Sequence, residues 1–492
     1  MTAPAATDSI RQVDPDLHAN PDTKRNQLVI RLLLISAFVV ILNETIMGVA
    51  LPHLMKDLSI TATAAQWLTT SFMLTMAVVI PVTGFLIQRL NTRPVFIAAM
   101  TLFSTGTLIA ALAPGFEVLL LGRIVQASGT AIMMPLLMTT VMTLVAPASR
   151  GKTMGNISIV ISVAPAIGPT ISGLILSVLD WRWMFILVLP IAVGALVLGA
   201  SRIRNVTTPR EVPLDVFSVI LSAFGFGGFV YGLSNLGGAS AVGWIPLGVG
   251  LVALTVFVLR QLHLQKSDSA LLDLRTFRSS NFTLSISMLG ISMLALFGSI
   301  ILLPLYMQNV LGMSALASGL LLLPGGLTMG LLSPFVGRIF DRRGPTILLV
   351  PGAILVSAAF WAMTTIGQTT EPWMLMIAHI GMSMGLALLF TPLFTAGLGS
   401  LEPSLYSHGS AVVGTVQQLA GAAGTALFIA VMSSQSAALM AQGVSEVSAT
   451  ASGIRGAFLW GAIISLFAIP AAFLVRRPPL SDPVENTPAG AH

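Results

Sequence analysis

The sequence predicts an all-α membrane protein whose chain crosses the bilayer fourteen times. Three observations carry that prediction. Only 9% of the 492 residues are charged and 55% are hydrophobic, whereas a soluble domain carries about 25% charged residues. The apolar residues come in long runs, such as 28–42, 182–200, 284–305 and 456–474. A span needs about 20 mostly apolar residues to cross a hydrocarbon core of about 30 Å. The lysines and arginines, finally, collect between alternate runs.

The runs place spans at 28–51, 66–88, 94–113, 117–145, 153–179, 183–201, 214–236, 242–262, 282–305, 315–337, 345–366, 372–398, 408–438 and 455–475. Gly and Pro inside several of them are tolerated in membrane helices. Spans 214–236 and 242–262 are Gly-rich and joined by a short turn at Gly237-Gly238. With the N-terminus in the cytoplasm, one face receives eighteen basic residues: Lys24, Arg25, Arg89, Arg93, Arg150, Lys152, Arg202, Arg204, Arg210, Arg260, Lys266, Arg275, Arg278, Arg338, Arg342, Arg343, Arg476 and Arg477. The other receives three, Lys56, Arg182 and Arg455. Positive loops stay in the cytoplasm, so both termini are expected there. One span more or fewer would scramble the segregation.

Several function classes recede. The +6 formal charge is scattered rather than gathered in a stripe, so no nucleic-acid partner is expected. Zero cysteines exclude disulfides, thiolate metal sites and cysteine nucleophiles. The first 26 residues are polar, without the apolar core of a cleavable signal peptide, so the first span itself directs insertion. Gly151-Lys152-Thr153 lacks the earlier Gly and the strand of a phosphate loop, Ala146 standing where that Gly belongs. The expected energy source is therefore an ion gradient, with no cofactor and no metal. No nucleophile–base constellation suggests an enzyme, and short tails and loops argue against a sensor or scaffold.

A repeat is visible across the chain. Gly84-Phe-Leu-Ile-Gln88-Arg89-Leu-Asn91-Thr-Arg93 closes the second span, and Gly337-Arg338-Ile-Phe-Asp341-Arg342-Arg343-Gly344 closes the tenth. Each puts a polar residue and an Arg four and five positions after a Gly. The match makes the tenth span the second of a six-span block only if spans seven and eight are an insertion. The plan is then a tail (1–27), six spans (28–201), an inserted pair with linkers (202–281), six spans (282–475) and a tail (476–492). Internal repeats around a central path build many secondary transporters.

These segments resemble the loop motif of the major facilitator superfamily, and within it the fourteen-span drug:proton antiporters. Leu119–Gly129, with Arg123, Gln126 and Gly129, looks like the family's fourth-span motif, and Pro165-Ala-Ile-Gly168-Pro169-Thr-Ile-Ser-Gly173 like its antiporter motif. Asn43–Pro52 resembles the first-span signature; Trp181–Phe185 and His408-Gly409-Ser410 also resemble family segments. The likeness covers about 28–475 and looks closest to bacterial lincomycin and multidrug exporters. Gln88 stands where the family usually has Asp, Asn91 where it has Gly, Asn43 where it has Asp, and Ala127 where it has Gly.

The resemblance implies two six-helix bundles rocking around a central cavity, with spans seven and eight peripheral. It implies a monomer in a bacterial inner membrane that exchanges protons for amphiphilic or cationic drug-like molecules. Export of an endogenous lipid, siderophore or amino acid on the same scaffold stays open, because fold does not fix cargo.

Few residues carry chemistry. Glu44 is the carboxylate well inside a span, and a charge at bilayer depth costs about 2.5–3.5 kcal/mol on insertion scales. Arg123 lies about 9 Å from the outer end of its span and Glu44 about 12 Å from Pro52, hence at similar depth. Glu44 is expected to carry the proton, with Arg123 stabilising its ionised form directly or through Gln126, beside Asn43. A static ion pair is the plainer reading. By resemblance, Gly84, Arg89, Arg93, Gly337, Asp341 and Arg342 are gate residues, with the second copy dominant, and Pro165, Gly168, Pro169 and Gly173 form a leak-tight hinge. His379 could relay protons or be hydrogen-bonded structure. Some of the 24 Met and 24 Phe would line a cavity for lipophilic cargo.

Overall fold

The structure is a computed structural model that describes residues 21–203, 205, 209, 213–235 and 243–478. Residues 1–20 and 479–492, Arg204, Arg210 and the Gly237-Gly238 turn lie outside the described residues, as does the side chain of Pro169. The first six helices are α1 (Pro21–Asp57), α2 (Ala62–Arg89), α3 (Thr92–Ala111), α4 (Phe116–Leu144), α5 (Arg150–Val178) and α6 (Trp183–Arg202). A pair follows, α7 (Val216–Ser234) and α8 (Trp244–Leu264). The rest are α9 (Ser280–Asn309), α10 (Ala315–Arg343), α11 (Thr346–Met363), α12 (Pro372–Gly399), α13 (Tyr406–Ala441), α14 (Glu446–Leu466) and the short α15 (Ala468–Leu474). Among the described residues fourteen spans are long and apolar enough to cross a membrane, α14 and α15 together making the last. The protein is a multi-pass membrane protein.

The last span departs from expectation. It begins at Glu446, nine residues before the predicted start at 455, and Arg455 is an exposed residue within the helix rather than at its end. The stretch before Arg455 is small and polar, which reads as loop by hydropathy. Yet Ala449, Ala451, Gly453 and Ile454 are buried against protein, where lipid solubility is not required. The helix breaks at Phe467 because Pro470 lacks the N–H that would reach the Leu466 carbonyl.

Helices α1–α6 pack among themselves, as do α9–α15, giving two bundles. An even number of crossings puts both ends of the described chain on one face, here the termini face. The bundles meet along two seams, α5 with α10 and α2 with α13, with α12 touching α5 and α13 touching α4. Helices α7 and α8 pack mostly on each other, and α7 also lies over α2 and α13. The inserted pair is thus peripheral, as expected, but covers one seam. Asp215 ties it together: its carboxylate caps α7 at the Ser218 N–H (3.1 Å) and accepts two bonds from Arg260 of α8 at 2.6 and 2.7 Å. The Arg260 bonds hold the Asp215 carboxyl down at about 2. Trp67 of α2 stacks on Tyr231 of α7 at 5.6 Å.

Candidate transport site

The deepest polar cluster joins α1, α3 and α4. Arg123 is 1% exposed, and its Nη1 donates to Asn43 Oδ1 (3.2 Å) and Gln126 Oε1 (2.5 Å). Gln126 Nε2 donates to Thr107 Oγ1 at 2.8 Å, and that hydroxyl donates to the Phe103 carbonyl at 2.7 Å. The guanidinium carbon lies 4.1 Å from the centre of the Phe72 ring, a cation–π contact from α2. Neutral oxygens and an aromatic face therefore hold this charge. Arg123 Nε and Asn43 Nδ2 are buried without a hydrogen-bond partner, so the cluster has donors to spare.

Glu44 follows Asn43 on α1 and is half-buried. Among the described residues its carboxyl makes no ion pair within 4.0 Å, with Arg123 or any other cation. Asn43, expected beside the pair, is the α1 side chain that bonds the guanidinium. A static salt bridge is not what this conformation contains.

Helix α5 sets the position of α1 here. Gly168 faces Thr45, the residue after Glu44, so closely that a Cβ would lie 2.2 Å from Thr45 Oγ1. Ser172 Oγ donates to the Ile46 carbonyl at 2.9 Å. Pro165 and Gly168 thus sit in the helix segment that seats α1 around Glu44. Gly173 does not join them: a Cβ there would meet nothing within 4 Å.

The two loop-motif copies lie at the termini face, and each bridges the bundles. Asp341 of α10 accepts from the Gly151 and Lys152 N–H groups, both at 2.8 Å, capping the first turn of α5. Gly337 lies so close to α5 that a Cβ would be 2.1 Å from the Gly151 carbonyl oxygen. Arg477 Nη2 donates to the Asp341 carbonyl at 2.5 Å. In the first copy, Gln88 Nε2 donates to the Ser404 carbonyl at 3.2 Å, and Gly84 faces His408 and Ala411. Arg89, Arg93 and Arg342 are exposed and stay outside these contacts; Arg89 lies 5.7 Å over the Phe85 ring. The α5–α10 contact continues through Gly155 against Ser333 to Ala166 against Gly326. Beyond it, Leu174 and Leu316 are both 70% exposed. The bundles are closed at the termini face.

His379 occupies in α12 the place of Arg123 in α4, each being the eighth residue of its helix. Arg123 rests on Phe72, eleventh in α2; His379 rests against Gly325, eleventh in α10. The buried imidazole Nδ1 has no hydrogen-bond partner among the described residues. Sequence reasoning singled out His379 but missed this equivalence, and it missed Phe72 and Thr107. Depth counting could have found Phe72; Thr107 carries no signal of its own.

Two pseudo-equivalent bundles, closed at one face over a buried guanidinium and a carboxyl at similar depth, define a secondary-transporter scaffold. The chain belongs to the Major Facilitator Superfamily, whose pattern matches residues 33–425. It is 42% identical over 472 residues to YcnB, an MFS-type transporter of Bacillus subtilis (94% of this chain, 97% of the relative). It is 40% identical over 457 residues to the lincomycin resistance protein LmrB of Listeria monocytogenes (91% and 96%). The multidrug resistance protein B homolog of Mycobacterium tuberculosis is 30% identical over 408 residues (80% and 73%). Among solved structures, the human organic anion transporter MFSD10 superposes with a TM-score of 0.66 at 15% identity (91% and 99%). The proton:xylose symporter XylE gives 0.60 at 14% (91% and 97%). Both show the fold.

Proposed function

We propose that this transporter is a proton-coupled antiporter that exports amphiphilic, drug-like molecules from the cytoplasm, the termini face being cytoplasmic. The observation that carries the proposal is the unpaired Glu44 beside a fully buried Arg123 held only by neutral partners. A salt bridge at this depth would fix the carboxyl in its ionised form. A free, half-buried carboxyl next to an unneutralised guanidinium can instead gain and lose a proton as its surroundings alternate. Spare donors on Asn43 and Arg123 can serve the ionised form when it approaches. The gathering of basic residues in the loops of the termini face supports the orientation. The named lincomycin and multidrug resistance relatives support the cargo class.

The scheme needs two exclusive occupancies, proton and cargo, and two conformations. The present one is closed at the termini face by Asp341 and Gly337, so cargo would leave from the opposite face. Proteoliposomes test it: adding lincomycin or a cationic dye to vesicles holding a proton gradient should release protons in step with cargo movement. Cargo movement that leaves the gradient untouched would refute coupling.

A further inference from the structure

A groove of about 710 Å³ lies where the start of α9 meets the end of α15, at the termini face. Its walls carry Phe277, Leu284 and Leu474 with the hydroxyls of Thr283 and Ser287, and its polar end carries Ser280, Asn281 and Arg476. Phe277 is 41% and Leu474 65% exposed, on the perimeter of the bundle. A bilayer surrounds that perimeter, so acyl chains and headgroups, not water alone, fill the space. Among the described residues no Asp or Glu lines the groove, and Arg476 is the one charged lining residue.

Arg476 is held by its backbone. Its N–H donates to Asn281 Oδ1 at 2.8 Å, and its carbonyl accepts from Asn281 Nδ2 at 3.0 Å. Among the described residues its exposed guanidinium has no hydrogen bond or ion pair, so a fork of donors stands free at headgroup depth. The same stretch reaches the gate. The next residue, Arg477, donates to the Asp341 carbonyl, and Pro478 packs on Gly399 of α12. Asn281 also donates to the Ala396 carbonyl of α12 at 3.2 Å. The groove and the Asp341 contact thus share one short, doubly anchored segment.

We propose that this groove binds an anionic phospholipid of the termini-side leaflet, its phosphate on Arg476 and an acyl chain along Leu284 and Leu474, and that the bound lipid steadies the Asp341 closure. A guanidinium fork matches two phosphate oxygens. A zwitterionic headgroup would bring an ammonium for which the described lining has no acid. The proposal rests on the membrane fold and not on proton coupling, because its tests require no transport.

Delipidated protein titrated with phosphatidylglycerol or phosphatidylcholine, and read by native mass spectrometry, should retain phosphatidylglycerol with at least threefold preference. Arg476→Gln should abolish the preference, and Ser287→Trp, which fills the groove without changing charge, should lower occupancy by either lipid. The chain has no cysteine, so a single Ser333→Cys, buried against Gly155 at the closed seam, reports opening by thiol labelling. In nanodiscs, phosphatidylglycerol should slow that labelling at least twofold, and Arg476→Gln should remove the difference. Unchanged lipid preference in Arg476→Gln with unchanged occupancy in Ser287→Trp would overturn the site. Lipid-independent labelling of Ser333→Cys would overturn its link to the gate.

Discussion

The α5–α10 and α2–α13 seams occupy equivalent places in the two halves, yet they are held by different forces. At α5–α10 a carboxylate accepts two backbone N–H groups at a helix N-terminus, where the helix dipole favours negative charge. At α2–α13 the equivalent Gln88 makes one neutral bond at 3.2 Å. Backbones touch at Gly337, while a Cβ at Gly84 would sit 3.2 Å from Ala411 Cβ. The looser seam has outside support: α7 covers it, and the linker after α8 donates the Asp273 N–H to His408 Nδ1 at 3.3 Å. One seam is locked by charge; the other leans on the inserted pair.

The largest test of that contrast is Asp341→Ala set against Gln88→Ala, read by labelling of Ser333→Cys. Charged hydrogen bonds contribute about 1.5–3 kcal/mol each, so loss of Asp341 should raise labelling at least tenfold. Loss of Gln88 should change it less than threefold. Next come the glycines. Gly337→Ala drives a methyl into the Gly151 carbonyl and should cost about 1–3 kcal/mol of closure, with transport falling severalfold. Gly84→Ala needs a shift of only a few tenths of an ångström, and its transport should stay within twofold of the parent. Equal effects would erase the asymmetry.

Gln88→Asp sharpens the comparison by giving the weak seam the acid it lacks. If that carboxylate caps α13 as Asp341 caps α5, labelling should slow by a few-fold and transport with it. The smallest effect belongs to the inserted pair. Because Arg260 lowers the Asp215 carboxyl from 3.8 to about 2, its stabilisation is complete above pH 4 and is lost as pH falls toward 2. Asp215→Asn should lower the melting temperature by a few degrees at pH 6, and the difference should vanish near pH 2.

Much of the fold was legible because lipid imposes a simple rule, an apolar run of fixed length, and because arginine placement registers the count. The exception, the start of α14, is instructive: Ala449 and Gly453 face protein, and hydropathy cannot tell a protein-facing polar helix from a loop. At the site, Glu44, Arg123 and Gln126 stood out as polar residues in apolar runs. Their arrangement did not follow from sequence. Asn43, rather than Glu44, meets the guanidinium because one position on a helix turns a side chain by about 100°. Phe72 was hidden among many phenylalanines, and the Arg477 contact depends on where a tail returns after the last span.

The proposed coupling turns on Glu44 as the group that binds and releases the proton. The direct measurement is transport by Glu44→Gln in proteoliposomes, in two modes: cargo exchange at equal pH, and cargo movement driven by a pH gradient. Exchange should persist within a few-fold while gradient-driven movement falls at least a hundredfold. A Glu44→Gln protein that still concentrates cargo against its gradient at the parent's rate would contradict it.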